Sequence, residues 1–239
     1  MAAGDVWRRR PERRGEVRGL RDCGHAIGRD APSGELVDRV RPVSDGDTDQ
    51  RAELLAIVRR RGYRRLPEAV QLSSGEWSRD FIDAKRALAH GVDLGLACRA
   101  LAERLADAGI DFDAIGGLTL GADQFAHGTA IVAGKRWFVV RKQAKGRGTD
   151  QLIEGAALHA GVRAVLVDDV VTTGGSIRHA LEVVQRTGAD VVAAVTLVDR
   201  GEVARRFFAG AGVPYIPLLT YSDLGIDPVG GKAGRDPDE

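Results

Sequence analysis

VLVDDVVTTGGS, residues 165–176, is the stretch whose reading decides the fold. An apolar β-branched triplet runs into two adjacent carboxylates, two more apolar residues, two threonines, two glycines and a serine. The triplet reads as a buried strand, and the residues from about Ile177 read as a helix. In an open α/β sheet, ligands bind outside the carboxyl ends of the strands. Glycines between strand and helix let the backbone approach a ligand, and free N–H groups at a helix start favour phosphate. The hydroxyls of Thr172, Thr173 and Ser176 add donors, so Thr172, Thr173, Gly174, Gly175 and Ser176 form a candidate phosphate cradle. Asp168 and Asp169 would repel a bare phosphate. A sugar phosphate removes the conflict, with its phosphate in the cradle and its hydroxyls donating to the carboxylates. A divalent cation nearby would reduce the repulsion further.

Outward from this stretch the same pattern repeats. Strand DAIGGL (113–118), helix ADQFAHGTAIVAG (122–134) and strand RWFVVRK (136–142) precede it. Helix SIRHALEVVQRTG (176–188), strand DVVAAVTLVD (190–199), helix EVARRFFAGAG (202–212) and strand YIPLLT (215–220) follow. Strands rich in Val and Ile separated by helices predict βαβ units and a parallel sheet covered on both faces. Upstream, RAELLAIVRRRG reads as a short amphipathic helix with Leu54, Leu55 and Val58 on one face. AVQLSSGEWSRDFIDAK reads as short strands and turns, and a longer helix carries Leu94, Leu96, Cys98, Leu101 and Leu105 and ends at Gly109. Residues 1 to about 49, rich in Arg, Asp, Gly and Pro, read as a disordered extension, and 227–239 as a flexible tail.

Composition narrows the function classes. The chain has 239 residues, 44% hydrophobic and 29% charged, as one ordinary globular domain would. A net charge of +1 gives no bulk electrostatic reason to bind nucleic acid or an anionic membrane. No run reaches the roughly 18 apolar residues of a spanning helix, and the Arg-rich start lacks the apolar stretch of a secretion signal. Cys23 and Cys98 read as free thiols in a reducing cytoplasm. The motifs of a P-loop and of dinucleotide binding are both absent. Among 35 basic residues the lysines are Lys85, Lys135, Lys142, Lys145 and Lys232 alone. A lysine kept in so arginine-biased a chain hints that a compact ammonium is wanted. Two of them fall in RKQAKGRG.

The quoted stretch resembles the phosphoribosyl-pyrophosphate signature of type I phosphoribosyltransferases. GGLTLGAD, FVVRKQAKGRG, VDRGE and QLSSGEWSRDFIDAK stand in the order seen in the orotate phosphoribosyltransferase family, over about residues 50–226. The resemblance implies a type I phosphoribosyltransferase fold: a Rossmann-like parallel sheet flanked by helices, with a small N-terminal hood from 50–84 and a core from about 85. It implies transfer of ribose 5-phosphate from phosphoribosyl pyrophosphate (PRPP) to orotate, giving orotidine 5′-monophosphate and pyrophosphate in UMP synthesis. It also implies Mg²⁺ held through pyrophosphate and ribose rather than directly by the chain, and a homodimer whose lid loop crosses to the neighbouring active site.

Carried onto this sequence, Asp168 and Asp169 hold the ribose hydroxyls, Thr172 to Ser176 hold the 5′-phosphate, and Val170 and Val171 between them belong to the same PRPP-binding run. Arg141, Lys142 and Lys145 face the pyrophosphate, with Lys145 on the lid and, with the two aspartates, catalytic. Arg200 and Thr172 contact orotate, and Asp80 and Phe81 lie in the segment that closes over the base. Where many members have a lysine before the SG of the upstream segment, this chain has Ser73. Arg147 replaces a lid histidine and Gln124 a proline, and Phe81 is the aromatic near Asp80. Two other readings remain open at this level: the same donor with another nucleobase, or a non-catalytic PRPP sensor using the basic N-terminal arm.

Overall fold

The computed structural model describes residues 45–72, 74–143 and 152–230. Ser73, Lys145 and Arg147 lie outside the described residues, as does most of the expected N-terminal extension.

Nine-residue strand β6 (Arg163–Val171) lies at the centre of a six-stranded sheet. Its period-two alternation sends Val165 and Val167 into the core on one face and Ala164 and Leu166 into the core on the other, all fully buried. The sheet order is β5-β4-β3-β6-β7-β8. The others are β3 (Ala114–Leu118), β4 (Arg136–Val140), β5 (Ile153–Gly155), β7 (Asp190–Asp199) and β8 (Tyr215–Thr220). All neighbours pair in parallel except β5, which runs antiparallel to β4 at the edge. That three-residue strand falls inside what reads as a polar loop, too short for a periodicity to show.

Helix α3 (Gly91–Asp107) and α4 (Asp123–Ala133) pack on the face of Val165 and Val167, while α5 (Gly175–Gln185) and α6 (Val203–Gly210) cover the other. In α5, Ile177, Ala180, Leu181, Val183 and Val184 are buried at helical spacing. Helix α1 (Asp45–Ile57) begins before the Arg51 expected from the sequence and continues into a π-helical turn (Val58–Gly62). The expected hood is an antiparallel hairpin, β1 (Tyr63–Gln71) with β2 (Trp77–Ile82), joined to the core by the short helix α2 (Ala84–Ala87). After β8 comes a one-turn helix α7 (Tyr221–Leu224) closed by a Thr220–Asp223 capping box.

Three sequence expectations shift. The strand of the quoted stretch does not end at the carboxylates. Val170 and Val171 continue it, pairing with Val198 and Asp199 of β7. Arg141 and Lys142 lie just beyond β4 rather than in it. The tail does not begin loose at residue 227: Val229 is 7% exposed and its N–H donates to the Arg200 carbonyl at 2.7 Å. Cys98 is a buried free thiol, as expected. No helix among the described residues is long and apolar enough to cross a membrane.

Candidate active site

Strand order reverses between β3 and β6: the chain leaves β3 toward β4 on one side and returns to β6 on the other. At such a switch point the loops diverge and open a crevice beyond the carboxyl ends. A cavity of about 1030 Å³ lies there. Its wall includes Asp168, Asp169 and Ser176 from the β6–α5 segment, Arg141 and Lys142 after β4, and Lys85 from α2.

The carboxylates are held by backbone and by one cation. Asp168 Oδ1 accepts from the Asp169 N–H at 2.9 Å, and Asp169 Oδ1 from the Val170 N–H at 2.8 Å. Lys85 Nζ donates to Asp169 Oδ2 at 2.8 Å. Asp168 is 6% exposed. Burial, and after it the negative charge of Asp169, pushes the Asp168 carboxyl well above the ordinary carboxylate range, with Lys85 acting in the opposite sense. Burial is the largest single influence and would lower the Lys85 ammonium, but its bond to Asp169 and the combined attraction of Asp169, Asp83 and Asp168 raise it overall.

The β3–α4 loop closes over this pair through a glycine. A Cβ on Gly121 would stand 2.7 Å from Oδ1 of both Asp168 and Asp169. Only a residue without a side chain lets the loop pass there.

The expected phosphate turn divides. Val171 is 2% exposed and its side chain belongs to the core. Its carbonyl accepts from the Arg200 N–H at 2.7 Å, which lashes the β7–α6 loop to this strand. Thr172 and Thr173 are half-buried, and Gly174, at φ 81°, turns the chain into α5. Ala204 lies 3.2 Å from where a Gly174 Cβ would stand, so glycine there serves both the turn and the packing of α6. Gly175 and Ser176 open α5 with exposed positions, and Val170 reaches the cavity wall.

Of the expected cations, Lys142 is exposed at the cavity. Arg141 Nη1 donates to Glu154 Oε1 at 2.8 Å across the β4–β5 edge. Lys145 lies outside the described residues.

Arg200 and Asp80 come together through the guanidinium and the Asp80 backbone carbonyl. The Arg200 guanidinium is 1% exposed; its Nη1 donates to the Asp80 carbonyl at 2.9 Å and its Nη2 to Ser78 Oγ at 3.3 Å. Among the described residues its Nε has no hydrogen-bond partner. Burial pulls Arg200 below its ordinary pKa, against the opposing pull of Asp80. The Asp80 carboxylate accepts from Tyr63 Oη at 2.8 Å and from Arg65 at 3.3 Å. Phe81, next along β2, lies with Arg64 over its ring at 5.6 Å. Beside Arg200, Asp199 Oδ1 accepts from the Gly201 N–H at 3.3 Å, and burial pushes the Asp199 carboxyl up to about 6.

Sequence reading missed Lys85 and Gly121. The lysine scarcity that singled out Lys142 and Lys145 applies equally to Lys85. GGLTLG carried the resemblance without its last glycine being assigned a task.

The phosphoribosyl transferase domain family matches residues 87–206. The orotate phosphoribosyltransferase of Streptomyces coelicolor is 40% identical over 186 residues, covering 75% of this chain and 100% of that protein. That of Mycobacterium tuberculosis is 39% identical over 179 residues, covering 74% of this chain and 97% of its own length. Among solved structures, the M. tuberculosis enzyme in complex with 5-phospho-α-D-ribosyl 1-diphosphate superimposes with a TM-score of 0.62 at 37% identity, over 74% of this chain and 99% of that one. The orotate phosphoribosyltransferase of Aeropyrum pernix gives 0.61 at 33% identity, over 72% and 95%. With the carboxylate pair, the glycine turn and Arg200 lying at one end of the sheet, and with relatives matched over their whole length, this chain belongs to the orotate phosphoribosyltransferase family.

Proposed function

We propose that the chain transfers ribose 5-phosphate from PRPP to orotate, forming orotidine 5′-monophosphate and pyrophosphate. The observation that carries this reading is the carboxylate pair at the β3–β6 switch point, with a glycine turn on one side and Lys142 on the other. The 2′- and 3′-hydroxyls donate to Asp168 and Asp169, and the 5′-phosphate lies against the turn from Thr172 to Ser176. When the bond from C1 to pyrophosphate breaks, positive charge develops on the ribose and negative charge on the leaving group. The two aspartates stabilise the first, and Arg141, Lys142 and Lys145 the second. Orotate then bonds to C1 through a ring nitrogen, whose proton is taken up by the released pyrophosphate. Its carboxylate and carbonyl edge suits a guanidinium, and Arg200 at the hood is the candidate, with Thr172 beside it and Asp80 and Phe81 on the closing strand.

Among the described residues no group of three His, Cys, Asp or Glu side chains stands together to hold a metal. Two carboxylates already bonded to backbone and to Lys85 fit a Mg²⁺ ligated mainly by pyrophosphate and ribose oxygens. Such an ion would supply Lewis-acid stabilisation of the leaving group.

The partner in this reading is a second copy of the chain. Leu120, Ile131, Val132 and Trp137 are large apolar side chains exposed by 71%, 81%, 45% and 41%. Leu120 and Trp137 also border the cavity. Exposed apolar side chains at the cavity mouth, Leu120 and Trp137, favour association there, and a lid from the second copy would then reach this site. A cytoplasmic setting completes the reading.

The test is initial-rate measurement with PRPP and Mg²⁺ against orotate, uracil, adenine, guanine and hypoxanthine. Loss of orotate absorbance, with the other bases slower by at least about 100-fold, is expected, since a site built on buried polar contacts rejects ligands that lack them. Turnover of another base in place of orotate would assign a different acceptor. Absence of turnover with every base, with PRPP still bound, would favour a sensor.

A further inference from the structure

We infer that Lys85 is a positioning residue of the donor site, holding Asp169 as an oriented acceptor for a ribose hydroxyl. The inference rests on the functional reading above. It starts from geometry. Lys85 is 84 positions from Asp169 in sequence, yet its ammonium meets Asp169 Oδ2 at 2.8 Å on the cavity wall. Asp169 Oδ1 is already fixed by the Val170 N–H. The carboxylate is therefore gripped at both oxygens, and its plane is set before any ligand arrives. Each carboxylate oxygen has two acceptor positions, so one on each remains for a hydroxyl.

Charge supplies the second part. Asp168 and Asp169 are adjacent like charges, and burial together with the neighbouring charge makes Asp168 hold its proton more tightly, an effect that Lys85 opposes. A protonated carboxyl would donate where the ribose hydroxyl needs an acceptor. Lys85 offsets one of the two charges from the open side of the cavity, where its side chain is 54% exposed. The β3–α4 loop has glycine at its closest approach to the pair, and so brings no cation there. Lys142, on the same cavity wall, follows β4 and lies on the side assigned to pyrophosphate.

Placement supplies the third part. Lys85 is in α2, directly after β2, the strand whose Asp80 carbonyl accepts from Arg200. The Asp83 carboxylate caps this turn by accepting from the Arg86 N–H at 3.0 Å, so the backbone carrying Lys85 is itself fixed.

The experiment compares PRPP binding by calorimetry, and steady-state rates, for wild type, Lys85→Met, Lys85→Arg, Asp169→Asn and Lys85→Met/Asp169→Asn. Thermal unfolding of each variant accompanies them. Lys85→Met should weaken PRPP binding and raise its KM about tenfold, the effect of losing a charge-assisted hydrogen bond, while the KM for orotate changes less than about twofold. Lys85→Arg should recover most of the loss, because a guanidinium can keep the pair. The double variant should bind PRPP no worse than Asp169→Asn, because a residue acting through Asp169 has nothing to act on once that carboxylate is gone. Additive losses, unchanged PRPP binding in Lys85→Met, or an equal rise in both KM values would overturn the inference. If wild type itself binds no PRPP, the functional reading falls first and this inference with it.

Discussion

Gly121 shows how much one missing Cβ can matter. A methyl group there would lie 2.7 Å from Oδ1 of both Asp168 and Asp169, closer than real Cβ contacts come. Gly121→Ala must therefore displace either the loop or both carboxylates. A misplacement of about 1 Å in a reacting geometry costs on the order of 100-fold, so kcat/KM should fall by about that factor. Circular dichroism should show the fold retained, because the change lies at the cavity and not in the core. Activity within about threefold of wild type would refute the close approach. Asp168 and Asp169 were legible in the sequence because strand, acid pair and glycine turn are contiguous. Gly121 and Lys85 were not, because each acquires its role from a residue more than 45 positions away that only the folded sheet brings near. Asp80 was legible by position alone; that its carbonyl rather than its carboxylate meets Arg200 required the structure.

Among the elements, the alternation of strands and helices was readable from periodicity, and β3, β6, β7 and β8 lie close to where it places them. The end of β6 was not, for a physical reason. Val170 and Val171 are β-branched and find partners in β7, so pairing runs through the carboxylates rather than stopping before them. The candidate cradle, Thr172–Ser176, therefore follows the strand directly. The hood meets the core through the Arg200 fork, one arm on the Asp80 carbonyl and the other on Ser78 Oγ. Lysine has no such fork. Arg200→Lys should raise the KM for orotate about tenfold or more, the loss of a bond made by a charged donor, with the KM for PRPP changed less than about twofold. Steady-state kinetics with each substrate varied in turn checks this, and an unchanged orotate KM would mean that Arg200 serves the hood alone.

For the whole molecule, the sheet order sets where the site opens, and in the proposed dimer the exposed apolar side chains are the candidates to meet the partner. Neither was available from local pattern. Strand neighbours are long-range facts, and Ile131 and Val132 look like core residues in a helix that reads as apolar. Ile131 is nonetheless 81% exposed. Ile131→Glu should leave the monomer folded, since nothing buried is disturbed, and should shift sedimentation from dimer to monomer. Orotate turnover should fall with it if the lid is shared between copies. A wild type that sediments as a monomer with full activity would remove the dimer from the functional reading.

The central claim is that the carboxylate pair of the quoted stretch holds the ribose of the donor. Its most direct test is the rate of orotate consumption with PRPP and Mg²⁺ by wild type and by Asp169→Asn, at matched folding by thermal unfolding. Losing one preorganised charged group at a developing transition-state charge should lower kcat/KM by on the order of 100-fold or more. Retention of activity within about threefold of wild type would contradict the claim.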